Sequence, residues 1–175
     1  SSKQISTLLA AITITLCCLS GKLLNAQTYK FVGGTLLGDH HWTKEYIYYV
    51  YSNIYIENIS TLLIDAGTQI IFESSTGMYV NKGKLLIEGT EQDTVIFSSA
   101  TTLNWTGIQI KDVNEENQVS LKYVKFQDVE TAISIKNSSK INIKNCFFEN
   151  SYIEGINILD SYNCTVENSW FCNNY

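Results

Sequence analysis

The 175-residue chain has no arginine and no proline; lysine supplies all 12 of its basic residues, against 17 aspartates and glutamates. An acidic surface without arginine argues against a nucleic-acid partner, whose phosphates need a basic stripe. It argues equally against an anionic membrane surface. Histidine occurs only as the adjacent pair His40-His41. Neighbours in an extended chain point to opposite faces, so the pair makes a poor joint metal site. No Ser-His-Asp set, phosphate loop or nucleotide fingerprint occurs. Helical spacing is missing beyond the first residues. Charged residues are only 17% of the chain and hydrophobic ones 45%. That suffices for one domain with a core and excludes a disordered profile.

Only one apolar run is long, and it lies at the start. Ser1 to Ala26 carries Lys3, then Leu8 to Leu19, then Ser20-Gly21, and ends Asn25-Ala26 without an acidic residue. A basic start, an apolar centre and a small residue at the end describe a secretory signal peptide over residues 1–26. The run is short for a transmembrane helix, so no membrane span is expected after its removal. A membrane anchor and a buried strand are the alternatives. Cys17 and Cys18 suggest lipoprotein processing, but Leu16 is bulky for such a site, and Leu24 is not small where a signal cut after Ala26 prefers it. The expected location is secreted or cell-surface. Removing this segment takes two lysines and no acid, leaving a net charge of −7. Three cysteines then remain, Cys146, Cys164 and Cys172. An odd count without Cys-x-x-Cys spacing is neither a metal site nor a disulfide framework. Buried free thiols are expected, with one disulfide after export as the alternative.

What the chain does have is a period. Val119-Ser-Leu-Lys-Tyr-Val-Lys-Phe126 returns as Ile141-Asn-Ile-Lys-Asn-Cys-Phe-Phe148 and as Cys164-Thr-Val-Glu-Asn-Ser-Trp-Phe171, offsets of 22 and 23 residues. Apolar triplets such as Leu62-Leu-Ile64, Ile70-Ile-Phe72 and Leu85-Leu-Ile87 alternate with turns such as Asp65-Ala-Gly67 and Asn81-Lys-Gly83. Three short strands per turn of about 22 residues predict an all-β, right-handed parallel β-helix. A β-sandwich is the rival, and the in-phase repeats argue against it. Residues 27–60 are expected to form an N-terminal cap or entry segment, with His40, His41 and Trp42 in the cap over the first coil, and residues 61–175 the coils. Equal phases stack: Ile108, Ile133 and Ile156 form one inward column, and Ile110, Ile135 and Ile158 another. Gln109, Ser134 and Asn157 alternate with them and point outward. Asn145 and Asn168 are expected to stack at a corner as an inward amide ladder.

Several phrases carry a resemblance. They are Gly33-Gly-Thr-Leu-x-Gly38, Leu62-x-Ile-x-x-Gly67-Thr-x-Ile-x-Phe72, Gly83-x-Leu-x-Ile-x-Gly89-Thr and Trp105-x-Gly107-Ile. From Val32 to Tyr175 the chain resembles the N-terminal half of secreted bacterial right-handed β-helix repeat proteins of the pectate-lyase-like superfold. The resemblance implies export and fold more than activity; some such relatives bind or cleave polysaccharide. The chain reads as an N-terminal fragment, because it lacks an initiating Met and Tyr175 falls in mid-coil without a cap.

Lyases of that superfold use a basic catalyst with acids that hold calcium, and no arginine is present here. Lys111 and Lys136 share a phase but are expected on a solvated face. Asp112, Asn137 and Asp160 share the next phase and read as turn formers. Calcium is the one cofactor such oxygen ligands would suit. Asp112 and Asp160 would stand about 9.6 Å apart, too far to share one ion directly. Glu115-Glu116 reads as a loop tip. Tyr46, Tyr48, Tyr49, Tyr51 and Tyr55 crowd one stretch, mostly as packing for an edge strand. Tyr48, Tyr51, Gln109, Ser134 and Asn157 are the candidate glycan contacts, and no catalytic residue is assigned. The expected function is a non-enzymatic scaffold or a module binding glycans or cell-surface components. The alternative is a polysaccharide lyase or glycoside hydrolase with its site largely in downstream coils, and calcium-stabilised adhesion is a third.

Overall fold

The computed structural model describes residues 27–114 and 116–174. The expected signal segment, Glu115 and Tyr175 lie outside the described residues. Strands make up 67% of the structure, and no helix occurs among the described residues.

One sheet has six strands, all paired in parallel. In spatial order they are β2 (Asp39–Trp42), β4 (Thr61–Asp65), β7 (Lys84–Glu88), β10 (Val119–Lys122), β12 (Ile141–Lys144) and β14 (Thr165–Glu167). This is the first face of the solenoid. The other sheet has nine strands. Four of them, β1 (Thr28–Leu36), β3 (Tyr46–Glu57), β11 (Val124–Lys136) and β13 (Phe147–Leu159), each supply two faces. Their first halves stack with β5 (Gln69–Phe72), β8 (Val95–Ser99) and β15 (Trp170–Cys172) as the second face. Their second halves stack with β6 (Gly77–Asn81) and β9 (Gly107–Lys111) as the third. The result is a β-solenoid of about 6 turns, with coils about 23 residues apart.

Residues 27–60 hold the first strands of the stack. β1 (Thr28–Leu36) pairs in parallel with β3, and β2 with β4. His40, His41 and Trp42 therefore sit on the first strand of the first face. Alternation along that strand buries Trp42 and leaves His41 outside, 2.8 Å from Asp65.

Strict register turns side-chain alternation into columns running the length of the core. Ile133 pairs with Ile108 on one side and Ile156 on the other, and Ile135 likewise with Ile110 and Ile158. Ile108, Ile133, Ile110 and Ile135 are fully buried. Ile156 is only partly buried and Ile158 is exposed, because β13 is the outermost described strand on that face. On the second face the inward column is aromatic: Phe97, Phe126, Phe148 and Phe171 follow one another at 5.5, 5.1 and 4.6 Å. Trp105 stacks on Phe72 at 4.2 Å and donates its indole N–H to the Gln127 carbonyl.

Corners are made by single residues in the left-handed region, mostly Asn and Asp, which tolerate it best. Asp112, Asn137 and Asp160 form one corner series at φ 54, 47 and 49°. Asn145 and Asn168 form another, at 55 and 49°. The inward amide ladder expected of this second pair does not form. Asn145 is half-buried and Asn168 exposed, while the residue after each faces the core side: buried Cys146 donates its N–H to Ser169 Oγ at 3.1 Å. An amide ladder does form between the second and third faces. Asn150 donates to Asp128 at 3.1 Å and Asn173 to Asn150 at 3.4 Å, across successive coils. Asn137 bonds Asp112 in the same way at 2.6 Å.

Candidate functional site

The expected glycan contacts separate by strand parity. Along β3 the buried positions are Tyr48, Val50, Ile54 and Ile56, so the even-numbered residues line the core. Tyr48, expected outward, is 2% exposed. It stacks on Trp42 at 4.4 Å, and its hydroxyl accepts the Thr43 N–H at 3.0 Å. It is a core residue and is removed from the candidate contacts. Tyr51 lies on the other parity and is 53% exposed.

The three remaining candidates fall on one line. Gln109, Ser134 and Asn157 are register partners on the outer side of the third face. The line continues the other way through Tyr79 to Tyr55. It therefore runs Tyr55, Tyr79, Gln109, Ser134, Asn157, one residue per rung, at a rung spacing of about 4.8 Å. The two tyrosine rings stack at 5.2 Å and 24°. Asn53 donates to the Tyr55 hydroxyl at 3.3 Å, and Asn157 to Glu154 at 2.6 Å. Tyr79 escaped the sequence reading, although it holds the Gln109 phase one coil earlier. Beside this line runs a second column, Glu57, Asn81, Lys111, Lys136 and Leu159. Lys111 and Lys136 are neighbours there, and both are exposed.

The first face carries a ladder of charge at the register of Asp65, Glu88, Lys122, Lys144 and Glu167. Lys122 holds Glu88 at 2.8 Å and Lys144 holds Glu167 at 3.5 Å. These partly exposed pairs contribute about 0–1 kcal/mol each.

The second face is different. Its outer columns are largely apolar, and their last rungs enclose a depression lined by Lys125, Phe147, Phe148, Glu149, Trp170 and Cys172. Phe147 and Trp170 stack at 4.9 Å and 9°. Lys125 Nζ lies 2.8 Å from Glu149 Oε2, and the Gln127 amide donates to the same oxygen at 3.1 Å. The hydrogen bond from Lys125 is the main reason the Glu149 carboxyl titrates below the usual carboxylate range.

Cys146, Cys164 and Cys172 are free thiols, respectively buried, half-buried and exposed. Burial pushes the Cys146 thiol from 9.0 up to about 11, against two backbone hydrogen bonds that pull it down. Among the described residues, no group of three or more His, Cys, Asp or Glu gathers where a metal ion could be held. No helix of the described residues is long and apolar enough to cross a membrane. Comparison with protein-family models, curated proteins and solved structures finds no match to this chain.

Proposed function

We propose that this chain is an exported, non-enzymatic β-solenoid of the pectate-lyase-like kind, serving as a scaffold that binds neutral glycans at a cell surface. The observation that carries this reading is the outer line Tyr55, Tyr79, Gln109, Ser134, Asn157. It presents rings, amides and a hydroxyl at a constant rise, the form in which a repeating polymer can be met by a repeating surface. The net charge of −7 for residues 27–175 favours a neutral over an acidic polymer. Export rests on the sequence of residues 1–26. The carboxylates Glu88, Glu149 and Glu167 are each within 3.5 Å of a lysine and are occupied as ion-pair partners. A hydrolase would instead need two carboxyl groups facing one bond.

The test is retention on insoluble neutral polysaccharides, compared with an acidic one, for the wild type and the double variant Tyr79→Ala, Gln109→Ala. Retention on a neutral polymer, weakened several-fold in the variant, is expected. Equal retention by both proteins would remove the ladder as the binding element. Release of reducing or unsaturated sugar by the chain would overturn the non-enzymatic reading.

A further inference from the structure

Two columns of this molecule set lysine against lysine, and only one of them neutralises the pair. Lys122 and Lys144 are direct register partners on the first face, and like charges so placed repel. There Glu88 stands on the rung before and Glu167 on the rung after, each held by the neighbouring lysine. Lys111 and Lys136 are direct partners on the third face, and the two flanking positions hold Asn81 and Leu159 instead. Lys136 forms no ion pair among the described residues. Lys111 has Asp112 at 3.8 Å, but Asn137 already donates to that carboxylate at 2.6 Å. Glu154, on the next rung, is likewise engaged by Asn157 at 2.6 Å.

Gln109 and Lys111 lie two residues apart on the outer side of β9, and Ser134 and Lys136 are their partners on β11. The four mark a rectangle of about 4.8 by about 6.6 Å. It lies mid-body, between β6 on one side and β13 on the other. It offers two ammonium groups, an amide and a hydroxyl, all able to donate. Ammonium groups are compact point charges without the planar fork by which arginine matches a carboxylate. They suit an anion with several equivalent oxygens, as a tetrahedral sulfate or phosphate has. Gln109, Lys111 and Lys136 are exposed, so the donors approach from one side only. Three oxygens can be met while the fourth points to solvent, where an ester linkage fits. A polymer charged on every ring would meet the acidic remainder of the molecule, whereas a single ester group meets this patch alone. We propose that Gln109, Lys111, Ser134 and Lys136 form a site for one sulfate or phosphate ester carried on a sugar. The site rests on the glycan reading above and adds to it a charged substituent beside the neutral line.

The test is nuclear magnetic resonance of the isotope-labelled full chain, following the Gln109 side-chain amide and the Ser134 backbone amide. The probes are glucose 6-sulfate, glucose 6-phosphate, glucuronate, glucose and inorganic sulfate, at equal ionic strength. Saturable shifts with at least one ester are expected, with glucuronate and inorganic sulfate weaker and glucose without effect. Lys111→Gln with Lys136→Gln should weaken ester binding about ten-fold. Lys122→Gln with Lys144→Gln removes the same charge from the first face and should leave ester binding unchanged. Equal loss in both double variants overturns the site in favour of net charge. Glucuronate bound as tightly as the esters overturns the tetrahedral group, and inorganic sulfate bound as tightly overturns the sugar ester as occupant. No saturable shift with either ester overturns the site; retention on an insoluble neutral polymer then leaves the glycan reading standing, and its absence removes both.

Discussion

Phe126 and Phe171 occupy the same phase of the inward ring column, two rungs apart. Phe126 is fully buried, with Phe97 at 5.5 Å and Phe148 at 5.1 Å. Phe171 touches Phe148 at 4.6 Å but is 52% exposed. Truncating either to alanine removes the same atoms, so the difference isolates burial. At Phe126 the lost transfer energy and the cavity together cost about 3–5 kcal/mol. Three broken ring pairs, with Phe97, Phe148 and Trp105, place the effect at the upper end of that range. At Phe171 about half of a transfer term of roughly 1.5–3 kcal/mol is at stake, and no closed cavity forms, so about 1 kcal/mol is expected. Urea unfolding followed by far-UV circular dichroism, with equal m-values as the condition for comparison, measures both. Phe126→Ala should exceed Phe171→Ala by about 4 kcal/mol. A difference below about 1 kcal/mol would refute the column as the continuous core of the fold.

Gly107 and Gly34 both lie in the left-handed region, at φ 93 and 85°, but only Gly107 is crowded: a Cβ there would strike the Thr131 carbonyl oxygen, while Gly34 faces open space. Gly107→Ala should cost about 2–4 kcal/mol and Gly34→Ala about 1–2 kcal/mol from backbone strain alone, read as unequal falls in thermal midpoint. For Cys146, the folded thiol titrates at about 11 against 9.0 ordinarily. Its contribution is whole below pH 9 and is lost as pH rises through about 11, because the unfolded thiol ionises first. That loss is about 3 kcal/mol. The stability difference between wild type and Cys146→Ala should shrink accordingly from pH 8 to 11; a constant difference would refute the burial of this thiol. Peptide mapping after maleimide labelling at pH 8 should find Cys172 modified and Cys146 protected.

The coil period was legible because three strands of one turn repeat their apolar phase on the next. The pairing of Ile133 with Ile108 and Ile156 follows from spacing alone, as does the outward line of Gln109, Ser134 and Asn157. Tyr48 misled for a physical reason. Tyrosine suits either side of a half-buried strand, so five of them in one stretch hide which parity is inside. The aliphatics decide it: Val50, Ile54 and Ile56 share the parity of Tyr48. Asn145 and Asn168 misled differently. Spacing reveals that they stack, but not whether a left-handed corner turns its side chain in or out. The true amide ladder, Asp128, Asn150 and Asn173, had the same 22- and 23-residue spacing. The depression at Trp170 was not legible, because it depends on Lys125 reaching diagonally across rungs to Glu149, and long flexible side chains leave no periodic trace.

The hydrogen-bonded corners make the coil, rather than the residue, the unit in which this molecule can change length. Copying one whole coil in frame would hand each ladder another member and lengthen the body by about 4.8 Å, adding one more rung to any surface that reads along the axis. A single residue added inside a strand would instead invert every following side chain in that rung and set the rings of the core against solvent. Selection for a longer reach or more contacts therefore has an open route through duplication, and nearly none through small insertions within strands. The loops after β8 and β9, which already depart from the tightest turns, are where odd lengths can be absorbed.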